Sequence, residues 1–353
     1  MHTWIMQTWI MHTWIPRLLL LSLALPWLAG CGPDNRLQAR LQTYVDRLAR
    51  SLEQPAPAIK PPLFLRLPEP RALQLQVAAT RINLLEFLEL SQCRLHTVIA
   101  ETNSSLGKFA VASEILLQEL KFLRHVDACI TALPTENPLR QLLLDSKQQK
   151  LADLPTHLWR ATLGGDEFRA FWKTRQDTGS YPQNTDSRTD LALNFLAENV
   201  HRILAGHRQL DREQFYAALA TLRNNEGGAL LQTWQQTQQA LQAANQVIAN
   251  RRAERPLCYR DMVTPSARIF RTVIVSHFVQ QVQPDLAILN RRYYDLMPQV
   301  IALETLLSDV EPPAYEQWRG QRDQQLRYAM ASVPEHIQRA SPLLEQCGFL
   351  PGT

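Results

Sequence analysis

Residues 229–250 read ALLQTWQQTQQALQAANQVIAN, and this stretch indicates most clearly which kind of fold the chain adopts. Its apolar and small residues recur at alternating intervals of four and three: Leu230, Trp234, Thr237, Leu241, Ala244 and Ile248. Because an α-helix has about 3.6 residues per turn, this spacing places the six side chains on one face. The pattern is shorter than that of a sustained coiled coil, so it predicts a helix that packs within the chain.

Helical spacing of apolar residues recurs elsewhere in the chain. Three further stripes are Leu37, Leu41, Val45 and Leu48; Leu84, Leu88, Ser91, Leu95 and Val98; and Leu116, Leu120, Leu123, Val126 and Ile130. A β pattern is almost absent, since only residues 271–275 are rich in β-branched side chains and their flanks keep helical spacing. The sequence therefore predicts an all-α protein, a multi-helix bundle of long antiparallel helices.

Prolines are expected to interrupt these helices, because proline lacks the backbone N–H that an α-helix uses and clashes with the preceding turn. Residues 139–174 should form two shorter helices, broken at Pro155 and at Gly164-Gly165. Pro284 should kink or interrupt the apolar run that leads into residues 285–308. A last helix near 314–332 should be followed by a short one near 334–345.

The same breakers predict how the chain is divided. Six prolines between positions 55 and 70 predict a stiff, extended segment that either holds the body off the membrane or packs across it. Residues 174–189 are polar and lack apolar periodicity, which favours a seam between two helical halves. We therefore expect an N-terminal region at 31–70, a first half at 71–178 and a second half at 190–349.

Residues 1–30 have the organisation of a secretory signal peptide. One basic residue, Arg17, precedes the apolar run Leu18–Leu25, which is too short to span a bilayer because spanning takes about 20 residues. The run ends in Leu28-Ala29-Gly30-Cys31, which resembles the lipobox of bacterial lipoproteins. That resemblance implies removal of residues 1–30 and attachment of a diacylglycerol and an N-acyl chain, such as palmitate, to Cys31. Acylation of this kind anchors a protein stably to a membrane.

The residue after Cys31 bears on which membrane is reached. In the lipoproteins that this segment resembles, an Asp directly after the lipidated Cys retains the protein in the inner membrane, whereas here that residue is Gly32. The resemblance thus implies the inner leaflet of the outer membrane, facing the periplasm, with the inner membrane as the second choice. A tandem pentapeptide leaves Met1, Met6 and Met11 open as start sites.

Composition limits the classes of partner. Without residues 1–30 the chain has 323 residues, with 36 basic and 33 acidic side chains, because Arg17 is the one charged residue lost from 37 and 33. A net charge of +3 is too small to indicate a nucleic-acid-binding protein. An apolar content of 45% with 20% charged residues is typical of a globular protein with a sizeable core.

Four cysteines remain after Cys31, and an even number in an oxidising compartment predicts two disulfides. Four cysteines allow three connectivities. We favour Cys93–Cys129 and Cys258–Cys347, which pair neighbours in sequence. If the two helices between positions 84 and 130 connect near residue 111, Cys93 and Cys129 each lie 18 residues from the turn and face each other.

No catalytic or metal-binding motif is found in the sequence, so no cofactor, metal or catalytic residue is predicted. His125 and Cys129 are spaced to share a helix face, where an imidazole activates a thiolate, but a disulfide at Cys129 is the favoured interpretation. Isolated histidines at 96, 157, 201 and 207 do not form a ligand set. Arginine clusters at 251–260 and 291–292 are expected to be solvated faces, with anionic head groups or acidic glycans as alternative contacts.

Several segments together resemble a proteobacterial lipoprotein family that is known only as a domain of unknown function. They are the lipobox, residues 103–108 (NSSLGK), Tyr181-Pro182-Gln183, and residues 283–287 (QPDLA). The resemblance covers nearly all of the chain after residue 30, and it implies no activity or catalytic residue.

From these features we expect an outer-membrane-tethered periplasmic lipoprotein that is not an enzyme and acts as an interaction or scaffold protein. Its expected partners are the membrane, through lipidated Cys31, and a protein of the cell envelope, but not nucleic acid. Two alternatives stay open: an enzyme acting on cell-wall or lipid-derived substrates, and a periplasmic ligand carrier.

Overall fold

The computed structural model describes residues 36–77, 90, 93–104, 110–175, 178–183, 188–259 and 262–349. Within these ranges the regular structure is helical and no β-strand occurs, apart from an isolated bridge between Tyr259 and Met262. The predicted all-α bundle is therefore confirmed. None of the described helices combines the length and the apolar character that crossing a membrane requires. The signal peptide and Cys31 lie outside the described residues.

Twelve α-helices follow one another along the part of the chain that the structure describes. The first six are α1 (Arg36–Ser51), α2 (Pro70–Leu73), α3 (Arg94–Asn103), α4 (Ala112–Ala132), α5 (Pro138–Ala161) and α6 (Asp166–Phe171). The next six are α7 (Arg188–Leu204), α8 (Arg212–Thr221), α9 (Glu226–Glu254), α10 (Pro265–Val273), α11 (Gln283–Leu306) and α12 (Pro313–Glu345). A π-helical segment, Ile274–Val282, joins α10 to α11, and 3₁₀ turns lie at Leu222–Asn224 and Ser308–Val310.

The predicted apolar stripes face the core. All six stripe residues of α9 are buried, as are the four stripe residues of α1. Of the stripe predicted over residues 84–98, Leu95 and Val98 are buried in α3, and the positions before 90 lie outside the described residues. The buried apolar side chains form one connected cluster that has members from both predicted halves.

The glutamine-rich helix α9 is buried on most of its surface, with 19 of its 29 residues in the interior. The buried residues include the polar side chains of Gln232, Gln235 and Asn245. A helix that is enclosed all round usually has apolar side chains on every face. Here uncharged amide side chains occupy part of that surface, so polar contacts with neighbouring helices contribute to its packing.

The two longest helices, α9 and α12, pack along each other and run parallel. Gln235 donates a hydrogen bond to Gln325, and Cys258 is bonded to Cys347, with sequence separations of 90 and 89. Such a constant separation requires helices that run in the same direction. The prediction of antiparallel long helices does not hold for this pair, because α11 lies between them in sequence and returns the chain to the level where α9 began.

Antiparallel packing does hold for helices that are adjacent in sequence. Cys93, which precedes α3, is bonded to Cys129 near the end of α4, and the Cα atoms are 5.7 Å apart. Closer to the connection between α3 and α4, Lys121 Nζ lies 2.6 Å from Glu101 Oε2. Both favoured disulfide pairings are present, and they join the ends of helices that pack side by side.

The helix breaks expected at Pro155 and near residue 333 are wrong. Pro155 lies inside α5, and Pro334 and Pro342 lie inside α12. An internal proline costs about 3 kcal/mol through the lost hydrogen bond and the ring clash. Helices of 24 and 33 residues with buried faces outweigh that cost, because most helix stability in proteins comes from tertiary packing.

Pro284 is accommodated without ending the helical run. The π-helical segment Ile274–Val282 directly precedes it, and the backbone N–H of Gln283 donates to Phe278 O, five residues earlier. The wider π turn moves the carbonyl that the proline ring would otherwise meet. Residues 265–306 consequently form one continuous helical rod.

A buried histidine connects the three helices α1, α9 and α12. His336 of α12 is 1% exposed, with Nε2 2.6 Å from the Tyr44 hydroxyl of α1 and Nδ1 2.7 Å from Asn245 Oδ1 of α9. A neutral ring satisfies both partners, because Nδ1–H donates to the amide oxygen while Nε2 accepts the phenol proton. Burial lowers the pKa of His336 to about 4.

We expect His336 to make the free energy of unfolding fall by about 3 kcal/mol between pH 7 and pH 4. Between its unfolded pKa of 6.5 and its folded pKa of about 4, the unfolded chain binds a proton that the folded protein does not. Acid therefore favours the unfolded state in this window. Urea unfolding followed by circular dichroism across the window measures the slope.

The matched control is His336→Gln, which keeps hydrogen-bonding groups but does not titrate. This variant should be less stable than the wild type at neutral pH and should lose less free energy of unfolding on acidification. Equal losses in the two proteins would contradict the assignment to His336.

Candidate functional site: a basic groove under the proline-rich segment

The proline-rich segment, residues 54–69, crosses the bundle as an extended chain without regular secondary structure; we call it the strap. Proline restricts φ and donates no backbone hydrogen bond, which favours an extended conformation. Ile59, Leu65 and Leu67 are partly buried and pack on the core. Of the two arrangements left open by the sequence, the strap adopts the one in which it packs across the body.

Two neighbouring cavities lie under the strap, and together we call them the strap groove. The larger, about 600 Å³, lies between residues 65–67 and residues 166–174. The smaller, about 440 Å³, lies between residues 59–64 and the helices α1 and α9. Both volumes fall in the range of roughly 300–1,000 Å³ that is typical of ligand sites.

The strap groove has a large excess of positive charge. Five basic side chains line its two cavities, against the single carboxylate of Asp166: Lys60, Arg66, Arg169, Lys173 and Arg175. Among the described residues, no carboxylate forms an ion pair with any of these five cations. Clefts lined by charge of one sign concentrate ligands of the opposite sign, so the groove favours an anionic ligand.

Hydrogen bonds to backbone carbonyls hold the C-terminal end of the strap in place. Arg169 Nη1 donates to Pro68 O at 3.0 Å, and the indole N–H of Trp159 donates to Leu73 O at 3.1 Å. On the opposite wall, Arg175 Nη2 donates to Asn224 O at 2.8 Å. Lys60, Arg66, Lys173 and Arg175 are the exposed cations of the groove, and Arg175 is the one of these four that donates to a backbone carbonyl among the described residues.

Trp172 forms part of the wall of the larger cavity and is 3% exposed. Its indole N–H has no hydrogen-bond partner among the described residues. Buried donors without a partner are uncommon in proteins, since each costs about 1–3 kcal/mol. The indole N–H of Trp172 is shielded from solvent, so Trp172 contributes a packed ring to the groove wall beside the cations.

The wall that contains Trp172 depends on a pair of glycines in the first turn of α9. A Cβ atom on Gly228 would lie 2.2 Å from Lys173 O, and one on Gly227 would lie 2.4 Å from Phe171 Cε1. Only glycine permits this approach of the backbones. Both glycines lie inside α9, where their lack of a side chain leaves room for residues 171–173.

Behind Trp172, a buried arginine connects the groove wall to α11 and α12. Arg322 is fully buried and forms two hydrogen bonds with Glu304, of 2.6 and 2.9 Å. Its guanidinium carbon lies 5.0 and 5.2 Å from the ring centroids of Trp172 and Trp318. Burial alone would lower the pKa of Arg322, but the hydrogen bonds and charge of Glu304 outweigh it and raise the pKa. Arg322 therefore stays charged and holds both indoles.

Two of the segments on which the family resemblance rests meet in the structure. Gln183, from residues 181–183, donates a hydrogen bond to Asp285, from residues 283–287. Asp285 is 2% exposed and also accepts from Arg40 of α1 at 2.7 Å. These segments therefore fix the start of α11 against α1, which is a structural contact and not a second pocket.

The reactive pair considered at His125 and Cys129 does not form, because Cys129 is bonded to Cys93 and has no thiol. Desolvation by burial, followed by the charge of Arg124, lowers the pKa of His125. His157 is buried in α5, and burial lowers its pKa as well. In the part of the chain that the structure describes, no three side chains among His, Cys, Asp and Glu are placed to hold a metal ion.

The arginine clusters expected to be solvated are partly buried. Arg251 is 4% exposed, and its guanidinium donates to the carbonyl oxygens of Arg255 and Pro256 at the end of α9. Arg292 is 6% exposed and is paired with Glu226. These arginines stabilise the bundle, and Arg260 lies outside the described residues.

The cations of the strap groove were missed by sequence reasoning. Lys60 and Arg66 flank Leu63 and Phe64 within the strap, and the prolines alone suggested a spacer. A signal was present, because basic residues in a segment with little secondary structure of its own often bind ligands. The sequence could not indicate that Lys173, more than 100 positions later, lies opposite them.

Comparison with known proteins identifies one family. Residues 41–351 match a family described as "Protein of unknown function (DUF3080)". No curated protein sequence and no solved structure matches the chain.

We expect Glu304→Gln to lower the free energy of unfolding by about 3–5 kcal/mol, because it leaves the charge of Arg322 buried without its main partner. Urea unfolding at neutral pH measures the loss. The control is Glu335→Gln, which breaks the exposed Arg339–Glu335 pair and should cost less than about 1 kcal/mol. Similar losses in the two variants would show that the buried pair contributes little.

We expect Gly228→Ala to destabilise the protein by about 1–3 kcal/mol, because its methyl group would overlap the backbone of Lys173. Thermal unfolding measures the change. Gly320→Ala is the control, since Gly320 lies in α12 with open space around it and alanine should stabilise that helix by about 0.5–1 kcal/mol. Equal melting temperatures for both variants would contradict the close approach at Gly228.

Proposed function

The chain belongs to the DUF3080 family of proteins of unknown function, and we propose that it is a tethered binding protein of the bacterial cell envelope. In this proposal Cys31 is lipidated and holds the protein in the inner leaflet of the outer membrane, facing the periplasm. The body binds an acidic segment of an envelope protein in the strap groove and performs no chemical reaction on it.

The tether is supported by the sequence before the first helix. A basic residue, a short apolar run and a lipobox-like segment precede Cys31 in the order of a lipoprotein signal. Helix α1 begins at Arg36, five residues after Cys31. Five residues of extended chain span at most about 17 Å. An acylated Cys31 would therefore keep α1 and its neighbours close to the lipid surface.

The excess of cations in the strap groove is the observation that carries the choice of ligand. Lys60 and Arg66 line the groove from the strap, and Lys173 lines it from the wall that faces the strap. The two cavities lie along one extended strap, so the groove suits an extended ligand better than a compact one. Carboxylates of an acidic peptide segment match this arrangement in charge and in shape.

The residues lining the groove favour binding over catalysis. Of the described residues that line the two cavities, none is His or Cys and only Asp166 carries a carboxylate. Hydrolysis of glycosidic bonds usually takes two carboxyl groups, and nucleophilic catalysis takes a nucleophile beside a base. Neither set is present in the described lining.

We expect crosslinking in living cells, followed by mass spectrometry, to identify one dominant protein partner. The charge reversal Arg66→Glu with Lys173→Glu should lower its yield about tenfold or more, since two favourable ion pairs of about 1 kcal/mol each become repulsive. The matched control, Arg202→Glu with Arg327→Glu, changes two exposed cations on other helices and should leave the yield unchanged. Cys31→Ser should abolish the crosslink by removing the anchor.

Four outcomes would contradict the proposal. A partner whose yield is insensitive to the groove charges would exclude the strap groove as its site. The absence of acyl chains from the intact mass of the purified protein would exclude the tether. Turnover of an envelope substrate that a point mutation abolishes would favour the enzyme alternative, and a copurified small molecule in place of a protein would favour the carrier alternative.

A further inference from the structure

One side of the helical rod formed by α10, the π-helical segment and α11 exposes apolar side chains to solvent. Ile269, Val275, Val279 and Ile288 are 55%, 37%, 45% and 37% exposed. They alternate with buried residues of the same rod, such as Phe270 and Phe278, that pack into the core. Single exposed apolar residues are common, but these four lie within 20 positions on the solvent-exposed part of one rod, and Val275 and Val279 are one turn apart. We call the four the exposed apolar row and interpret them as part of a contact surface.

Helix α1 packs beside this rod and runs antiparallel to it. Arg40 Nη1 lies 2.7 Å from Asp285 Oδ2, the rings of Tyr44 and Phe278 have centroids 5.3 Å apart, and Glu53 accepts a hydrogen bond from Ser266 at 2.8 Å. Arg40, in the second turn of α1, is therefore level with Asp285, just after the junction of the π-helical segment and α11. That junction lies between Val279 and Ile288, in the middle of the exposed apolar row.

The position of the tether follows from this packing and rests on the proposed function. The five residues from Cys31 to Arg36 span at most about 17 Å. Val279 and Val275 precede Asp285, the partner of Arg40 in the second turn of α1, by six and ten residues, which is about two and three turns of the rod. Acyl chains on Cys31 would thus enter the lipid layer near the exposed apolar row.

The charges around the row are positive. Residues 262–284 contain no Asp or Glu, whereas exposed Arg268 lies among them and Arg271 stacks on the ring of Phe349. Exposed Arg47 and Arg50 extend the positive charge along α1, where Asp46 is the one carboxylate within the helix. Two carboxylates lie near the ends of the contact between α1 and the rod, and both form ion pairs: Asp285 with Arg40 and Glu53 with Arg255. An anionic surface is therefore complementary to this side of the protein.

We propose that this side, the membrane face formed by the exposed residues of α1, α10 and the π-helical segment, lies on anionic phospholipid. Its apolar side chains enter the boundary between head groups and acyl chains, and its arginines contact lipid phosphates. Such a combination of apolar and basic side chains is typical of helices that lie in a membrane interface.

Quenching by brominated lipids tests the membrane face. The protein is purified from membranes and reconstituted in vesicles of phosphatidylethanolamine and phosphatidylglycerol. A tryptophan is introduced by Val275→Trp, or as a control by Leu151→Trp in α5, a position with the same 37% exposure on a helix that packs mainly against α4. Trp159, Trp172, Trp234 and Trp318 are all buried and add the same background to both variants.

We expect brominated lipid to quench the Val275→Trp variant at least threefold more than the Leu151→Trp variant. Adding Arg47→Glu and Arg268→Glu, or replacing phosphatidylglycerol by phosphatidylcholine, should remove most of that difference. Equal quenching of the two tryptophans would overturn the membrane face. Quenching that is indifferent to both charge changes would overturn the anionic lipid as its ligand.

The outcomes separate this inference from the proposed function. Protein that carries acyl chains but shows no quenching at position 275 keeps the anchor and excludes the face. Protein without acyl chains that binds the same vesicles and is quenched at position 275 keeps the face and excludes the anchor. Protection of position 275 that depends on protein concentration and not on lipid would assign the surface to a second copy of the chain, which also overturns the proposal.

Discussion

Three buried charges on α11 determine how the helices of this protein are arranged. Asp285, Arg292 and Glu304 are 2%, 6% and 4% exposed. A charge left unpaired in a protein interior costs several kcal/mol, so each of the three requires a partner of opposite sign. The partners come from three helices, α1, α9 and α12. Sliding α11 by one turn would leave all three charges unpaired, which restricts the bundle to one arrangement.

The strap groove depends on this arrangement indirectly, through residues that contact the buried charges. Glu304 holds Arg322, and Arg322 holds Trp172 in the groove wall. Arg292 holds Glu226 at the start of α9, where the glycine pair admits the backbone of residues 171–173. The groove wall is therefore held by buried ion pairs and close packing, although the strap itself has no regular secondary structure. A preformed wall lowers the entropy cost of binding an extended ligand.

The proposed tether, the membrane face and the strap groove all involve helix α1 and are therefore close to one another. Helix α1 lines both the membrane face and the smaller cavity of the groove, which includes Gln38, Leu41 and Gln42. A ligand in the groove would consequently lie close to the lipid surface, within reach of other proteins anchored there. Such proximity raises the effective concentration of a partner anchored to the same membrane, so that the partner can bind through contacts that are individually weak.

The sequence by itself determined the all-α class, the buried stripes of α1 and α9, and the favoured disulfide pairs, because helical periodicity and cysteine spacing are local properties of the chain. Tertiary structure alone decided that α9 and α12 run parallel, that helices continue through Pro155 and Pro334, and that cations more than 100 positions apart line one groove. The physical reason is the same in each case. A local pattern indicates which side of a helix is buried. The partner of a buried charge, and whether packing offsets the free-energy cost of a proline inside a helix, depend on contacts between residues that are distant in sequence.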